Sequence, residues 1–138
     1  MGKIMQKAKL QNIVDLSNLK KGYIDSSQIH EIEVDFLVDT GAAMVCLPPD
    51  LIEKLDLYVI DERNAVTANG KVKRRVYSEV RINVMGREAG MNVMEVSANV
   101  PPLMGYLLLE RLDLYPNPTK QCLEGNPKHD GEFVLYQL

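Results

Sequence analysis

Hydrophobic positions recur at every second residue along much of the chain. In residues 31–38, Ile32, Val34, Phe36 and Val38 share one face, Glu31, Glu33 and Asp35 the other, and Leu37 follows. That spacing predicts a half-buried strand that becomes fully buried at its end. The pattern returns in residues 76–84, with Val76, Val80, Ile82 and Val84 predicted inward and Tyr77, Glu79, Arg81 and Asn83 outward. Met85-Gly86-Arg87 reads as a turn into residues 91–96, which predicts a hairpin. Ile4, Ala8 and Leu10 predict a weaker first strand, and residues 133–138 a last one.

Helical signals are short. Pro48-Pro49-Asp50 precedes Leu51, Ile52 and Leu55, which predicts one or two turns starting there. A second short helix is predicted over residues 106–112, with Pro116, Asn117 and Pro118 stopping its propagation. Residues 22–27 and 125–131 read as loops. The chain has no internal repeat or low-complexity tract. These elements sum to a mostly β domain, closer to a barrel than to an α/β sandwich.

The length of 138 residues fits one domain over residues 1–138. A domain of about 150 residues buries roughly 68–70% of its unfolded surface, so a core forms without staples. Residues are 46% hydrophobic and 25% charged, an ordinary globular mix. A net charge of −3 gives no general attraction to nucleic acid or an anionic membrane. The basic cluster at residues 71–75 reads as a solvated strand end. Cys46 and Cys122 form neither a metal pattern nor a C-x-x-C motif. No apolar run approaches the roughly 20 residues of a membrane helix. The lysine-interrupted residues 1–10 lack the apolar stretch of a signal peptide, and residues 1–27 read as part of the domain. The expectation is a cytoplasmic protein with reduced thiols, one disulfide being the alternative. His30 and His129 read as surface or structural residues.

Chemistry concentrates where the strand over residues 31–38 runs into Asp39-Thr40-Gly41-Ala42. A buried carboxylate at a strand end is costly unless its charge is used or satisfied. Gly41 allows a tight turn and close backbone approach. Alone, Asp-Thr-Gly is more simply an Asx-type turn. Two later features change that weighting. Ala68-Asn69-Gly70 sits between extended segments and predicts a hairpin. Leu103-Met104-Gly105 places two bulky apolar residues and a glycine before the second helix.

In this order and at this spacing, the three segments resemble the retropepsin-like (clan AA) aspartic proteases. The resemblance covers residues 28–115, and the stretch over residues 103–114 looks most like the small prokaryotic members. It implies an all-β, retropepsin-like acid-protease barrel with one or two short helices. It implies Asp39 as the catalytic carboxylate, supported by Thr40, Gly41, Ala42 and Gly105. Ala68, Asn69 and Gly70 would form a flap over the substrate. Two departures stand out. Tyr106-Leu107 follows Gly105 where retroviral members carry Arg-Asp or Arg-Asn, and the flap has a single glycine.

Metal-free amide hydrolysis by this route needs two carboxyl groups, one ionised to take a proton from water and one protonated to bond the carbonyl oxygen. The chain holds a single Asp-Thr/Ser-Gly, so a pair requires twofold symmetry. The resemblance implies that homodimer, with Thr40 hydroxyls bonding across the axis and chain termini pairing in the interface. Residues 133–136 are the candidate interface strand. The expected activity is aspartic endopeptidase on peptide or unfolded polypeptide, with no cofactor and no metal. The alternative is a non-catalytic peptide-binding or assembly module on the same scaffold. No H-E-x-x-H, Walker A or G-x-G-x-x-G motif supports a metal- or nucleotide-dependent enzyme.

Overall fold

The structure, a computed structural model, describes residues 3–134. In chain order its elements are β1 (Met5–Asn12), α1 (Ile13–Lys20), β2 (Glu31–Val38), β3 (Val45–Leu47), α2 (Pro49–Lys54), β4 (Val59–Thr67), β5 (Gly70–Val84), β6 (Arg87–Glu95), β7 (Leu103–Met104), α3 (Tyr106–Leu112), β8 (Leu114–Asn117) and β9 (Cys122–Gly125). A seven-stranded sheet runs in the order β1-β2-β7-β3-β6-β5-β4, and an additional β1–β5 pairing closes it into a ring. The fold is therefore mostly β with short helices, as the alternating pattern predicted. β8 and β9 form a separate two-stranded sheet.

The ring encloses the core. Leu10, Phe36, Val45, Leu47, Val80, Ile82, Val84, Val93 and Met104 are fully buried in one cluster. α2 adds Ile52, and α3 adds Leu108, Leu109 and Leu112 from its inner face. Leu108 and Leu109 lie four and three residues before Leu112, the spacing of one face of an amphipathic helix. Each such side chain contributes roughly 1.5–3 kcal/mol by leaving water.

β5 carries most of the structural novelty. Its first half pairs with β4 in a long hairpin, and Asn12–Lys9 of β1 pairs with Val80–Asn83 farther along. Between them the pairing with β6 slips: Tyr77 faces Val93 and Val80 faces Met91, so Ser78 and Glu79 oppose Asn92 alone. This bulge reverses the facing of everything before it. Tyr77, predicted outward, is buried in the core cluster, and its hydroxyl donates to Glu95 Oε1 at 2.8 Å. Val76, predicted to share a face with Val80, is buried on the opposite face and lies outside that cluster.

Turns obey backbone chemistry. The Met85-Gly86 turn has positive φ at both residues, 55° and 83°, the geometry that matches strand twist in a two-residue hairpin. At the β4–β5 tip, positive φ falls on Gly70 alone, at 102°, while Thr67 pairs with Gly70. The tip thus turns through Ala68-Asn69, with Gly70 taking the left-handed position after the turn, rather than through an Asn-Gly pair. α3 ends at Asp113, whose φ of 55° stops it before Pro116 is reached. Pro116 lies instead within β8.

α1 has no buried residue and is anchored at its start. Asn12 Oδ1 accepts from Val14 N at 2.9 Å, while its Nδ2 donates to Leu55 O at 2.8 Å. This N-cap joins the helix to the end of α2. Of the predicted last strand, Phe133 and Val134 lie outside any strand. Residues 135–138 lie outside the described residues. Cys46 and Cys122 are free, the first buried and the second exposed.

Candidate active site

The Asp39 turn is built from main-chain atoms. β2 runs parallel to β7, and this ladder continues past the end of the strand: Leu37 N donates to Pro102 O at 2.9 Å, and Asp39 N to Met104 O at 3.0 Å. Asp39 therefore falls on the same face as Leu37. Within the turn, Ala42 N donates to Asp39 O at 3.1 Å, and Gly41 N donates to the carboxylate Oδ1 at 2.9 Å. The carboxylate is half-buried rather than sealed in the core, and Thr40 and Gly41 are exposed. Gly41 does not have positive φ. A Cβ there would stand 3.1 Å from Asp39 Oδ1, so a side chain at this position would press on the carboxylate.

Gly105 locks the turn from behind. A Cβ at this position would lie 2.5 Å from Met44 O and 2.7 Å from Ala42 O, too close for any side chain. The contact lets α3 start against the loop: Tyr106 N donates to Ala42 O at 2.8 Å and Leu107 N to Ala43 O at 3.2 Å. The first N–H groups of a helix have no partner within it, so the loop carbonyls satisfy them. These bonds come from the backbone of Tyr106-Leu107, which carries no polar pair like that of the retroviral members.

Paired residues in adjacent strands share a face. Register thus aligns Leu37, Leu103, Cys46, Met94 and Val76 in one row across the sheet. Asp39 extends this face beyond Leu37. Val38, Met104, Val45, Val93 and Tyr77 form the parallel row that faces the core. Cys46 reports the proximity of the first row to the acid. Its thiol is pushed up to about 11, by burial first and by the Asp39 charge second, with Arg74 acting in the opposite direction.

The fold brings Asp39, Thr40, Gly41, Ala42 and Gly105 together. Ala68, Asn69 and Gly70 sit apart, at the tip of the β4–β5 hairpin. There Thr67 Oγ1 donates to Gly70 O at 2.8 Å and accepts from Asn69 N at 3.2 Å. A cleft of about 690 Å³ lies elsewhere, between α3 and the segment carrying Asn126 and His129.

Residues 26–110 match the family model of the aspartyl proteases. The chain belongs to that family. Among solved structures, the EIAV protease complexed with the inhibitor HBY-793 is 20% identical, with a TM-score of 0.47 over 56% of this chain and 75% of that one. No curated protein matches the chain. The span matched to the aspartyl proteases contains the Asp39 turn, the hairpin and Gly105, the segments that carried the resemblance in the sequence. Sequence reasoning missed the apolar row of Leu37, Leu103, Cys46 and Met94, and it treated Arg74 as part of a solvated strand end. Residues 72, 74 and 76 share a strand face, but which face that is depends on the bulge after Tyr77.

Proposed function

We propose that the chain is a homodimeric aspartic endopeptidase in which Asp39 of each subunit supplies one carboxyl group. The observation that carries this reading is the half-exposed Asp39 carboxylate, fixed by a single Gly41 N–H and by a backbone turn packed against Gly105. One oxygen is held and the other is left for chemistry. A carboxylate so placed takes a proton from water, while its symmetry mate, protonated, donates to the scissile carbonyl oxygen. Carboxylates about 3 Å apart cannot both ionise, so the pair titrates as a unit with one pKa raised.

Two further features favour the twofold arrangement. The chain has one Asp-Thr-Gly, and the Thr40 hydroxyl is exposed and has no hydrogen-bond partner among the described residues. It is available to bond across an axis. The β4–β5 hairpin would close over an extended peptide, and the row of Leu37, Leu103, Cys46 and Met94 would supply mostly apolar pockets for alternate side chains.

Cleavage of unstructured polypeptides by wild type and Asp39→Asn, in chelator across about pH 3.5–7.5, tests the proposal. Wild type is expected to cut with a bell-shaped profile and the variant not at all. Two folded proteins that both leave every substrate intact would favour the binding-module reading.

A further inference from the structure

Arg74 stands out among the cations of the hairpin. Lys71, Lys73 and Arg75 are exposed, whereas Arg74 is half-buried. It lies two residues before Val76 on the same strand face, so the bulge that turns Val76 away from the core also turns Arg74 toward the Asp39 face. Its guanidinium forms no hydrogen bond or ion pair among the described residues. Directly opposite it across the ladder is Arg63. Like charges placed opposite each other are destabilising. Arg63 is held by Asp61 Oδ2 at 2.9 Å, and it lines a cleft of about 280 Å³ with Met44 and Leu107, residues bordering the Asp39 turn. Arg74 also borders a polar cleft of about 340 Å³ whose other lining residues, Glu62, Lys73, Arg75 and Glu95, alternate to the opposite, Tyr77 face. Glu95 Oε1 accepts from the Tyr77 hydroxyl.

We infer that Arg74, with Arg63 opposite it, binds a carboxylate of the substrate, so that the site selects extended peptides bearing an acidic side chain or a free C-terminus. The inference rests on the reading of the Asp39 face as the substrate face. A planar guanidinium pairs with a carboxylate through two parallel N–H···O bonds, which gives orientation as well as affinity. The anion also relieves the repulsion between the two arginines. Burial of the arginine stem against Val76 and Val72 would hold the fork in place on the Asp39 face.

The test separates this inference from the endopeptidase reading. Three fluorescent peptides of one extended sequence are bound to Asp39→Asn, which retains the face but not the carboxylates. One has Glu beside a central apolar pair and an amidated end, one has Gln there and a free C-terminus, and one has Gln and an amidated end. One of the two anionic peptides is expected to bind about tenfold tighter than the neutral one, a difference of about 1.4 kcal/mol. Which of them does so tells a side-chain carboxylate from a terminal one. Adding Arg74→Gln should remove the preference, Arg74→Lys should keep part of it, and Arg74→Glu should shift it to a Lys-containing peptide. The inference is overturned if all three peptides bind alike or not at all, or if the preference survives Arg74→Gln. A preference that depends on Arg74, in a protein whose wild type leaves these peptides and unstructured polypeptides intact, upholds the inference and removes the endopeptidase reading.

Discussion

Two aspartates follow the ends of elements of this fold and are treated in opposite ways. Asp39 follows β2, and its side chain receives one hydrogen bond, from the backbone of its own turn. Asp113 follows α3 and is 8% exposed. Its carboxylate accepts from His129 Nδ1 at 2.6 Å, Asn126 Nδ2 at 3.1 Å and Val134 N at 3.3 Å. Its carbonyl accepts from Asn126 N and from Arg87, whose guanidinium also lies 5.1 Å from the centre of the Phe133 ring. Asp113 thus fastens the segment over residues 126–134 to the end of α3. His129 holds its carboxyl below the ordinary 3.8, outweighing the opposite effect of burial. A saturated carboxylate is a structural part, and an under-supplied one is available for chemistry. That contrast separates the two residues better than their burial or their place at an element end.

The sharpest way to break the comparison is to remove each charge isosterically. Asp39→Asn keeps an oxygen for Gly41 N–H, so melting temperature should hold while cleavage falls by at least about 10³-fold. At fixed total protein, mixing Asp39→Asn with wild type should lower activity as the square of the wild-type fraction. A linear decline would mean that one subunit suffices. Gly105→Ala attacks the support behind Asp39. It should lower stability by about 3 kcal/mol in denaturant titration, since no neighbouring side chain can yield. A variant as stable as wild type would show that the contact with Met44 O relaxes freely.

Asp113→Asn should do the reverse of Asp39→Asn, with a smaller loss than Gly105→Ala. Asparagine tolerates the left-handed backbone, so the substitution isolates the charge. The sign follows from the lowered pKa. Asp113 contributes its full stabilisation above the ordinary 3.8, and loses it as pH falls through its own lower value. The melting-temperature gap between wild type and variant should therefore be present near neutrality and close in acid. A gap that widens in acid would refute the assignment. The smallest effect belongs to Gly70→Ala. Its φ of 102° disfavours a side chain, but nothing lies within 4 Å of a Cβ there. A cost of about 1 kcal/mol should appear as faster hydrogen exchange at the hairpin tip, with the ring unchanged.

Much of the ring was readable because one-sided burial writes itself as period two. Ala8, Leu10, Val34, Phe36, Val80, Ile82 and Val84 are all buried where alternation put them. The Asp39 turn and Gly105 were readable because backbone crowding leaves so few residue choices. Other features leave weaker marks. α1 buries nothing, so no stripe announces it. The bulge at Ser78-Glu79 depends on what lies across the sheet at Asn92, which no local pattern encodes. Tyr77 and Val76 were misplaced for that reason, and Arg74 with them. β8 and β9 are four residues each, one of them containing Pro116, which argues against a strand when read alone.

The contact between Gly105 and the loop has a consequence for how this protein could be re-tooled. The floor beneath the acid is joined through carbonyls of Ala42, Ala43 and Met104 and amides of Asp39, Tyr106 and Leu107. None of those bonds depends on what side chain its residue carries. Met44, Tyr106 and Leu107 can be exchanged like fittings on a fixed mount: the shape of the walls changes, and the carboxylate stays aimed. On the proposed endopeptidase reading, variation at these positions would alter substrate preference without moving the carboxylate.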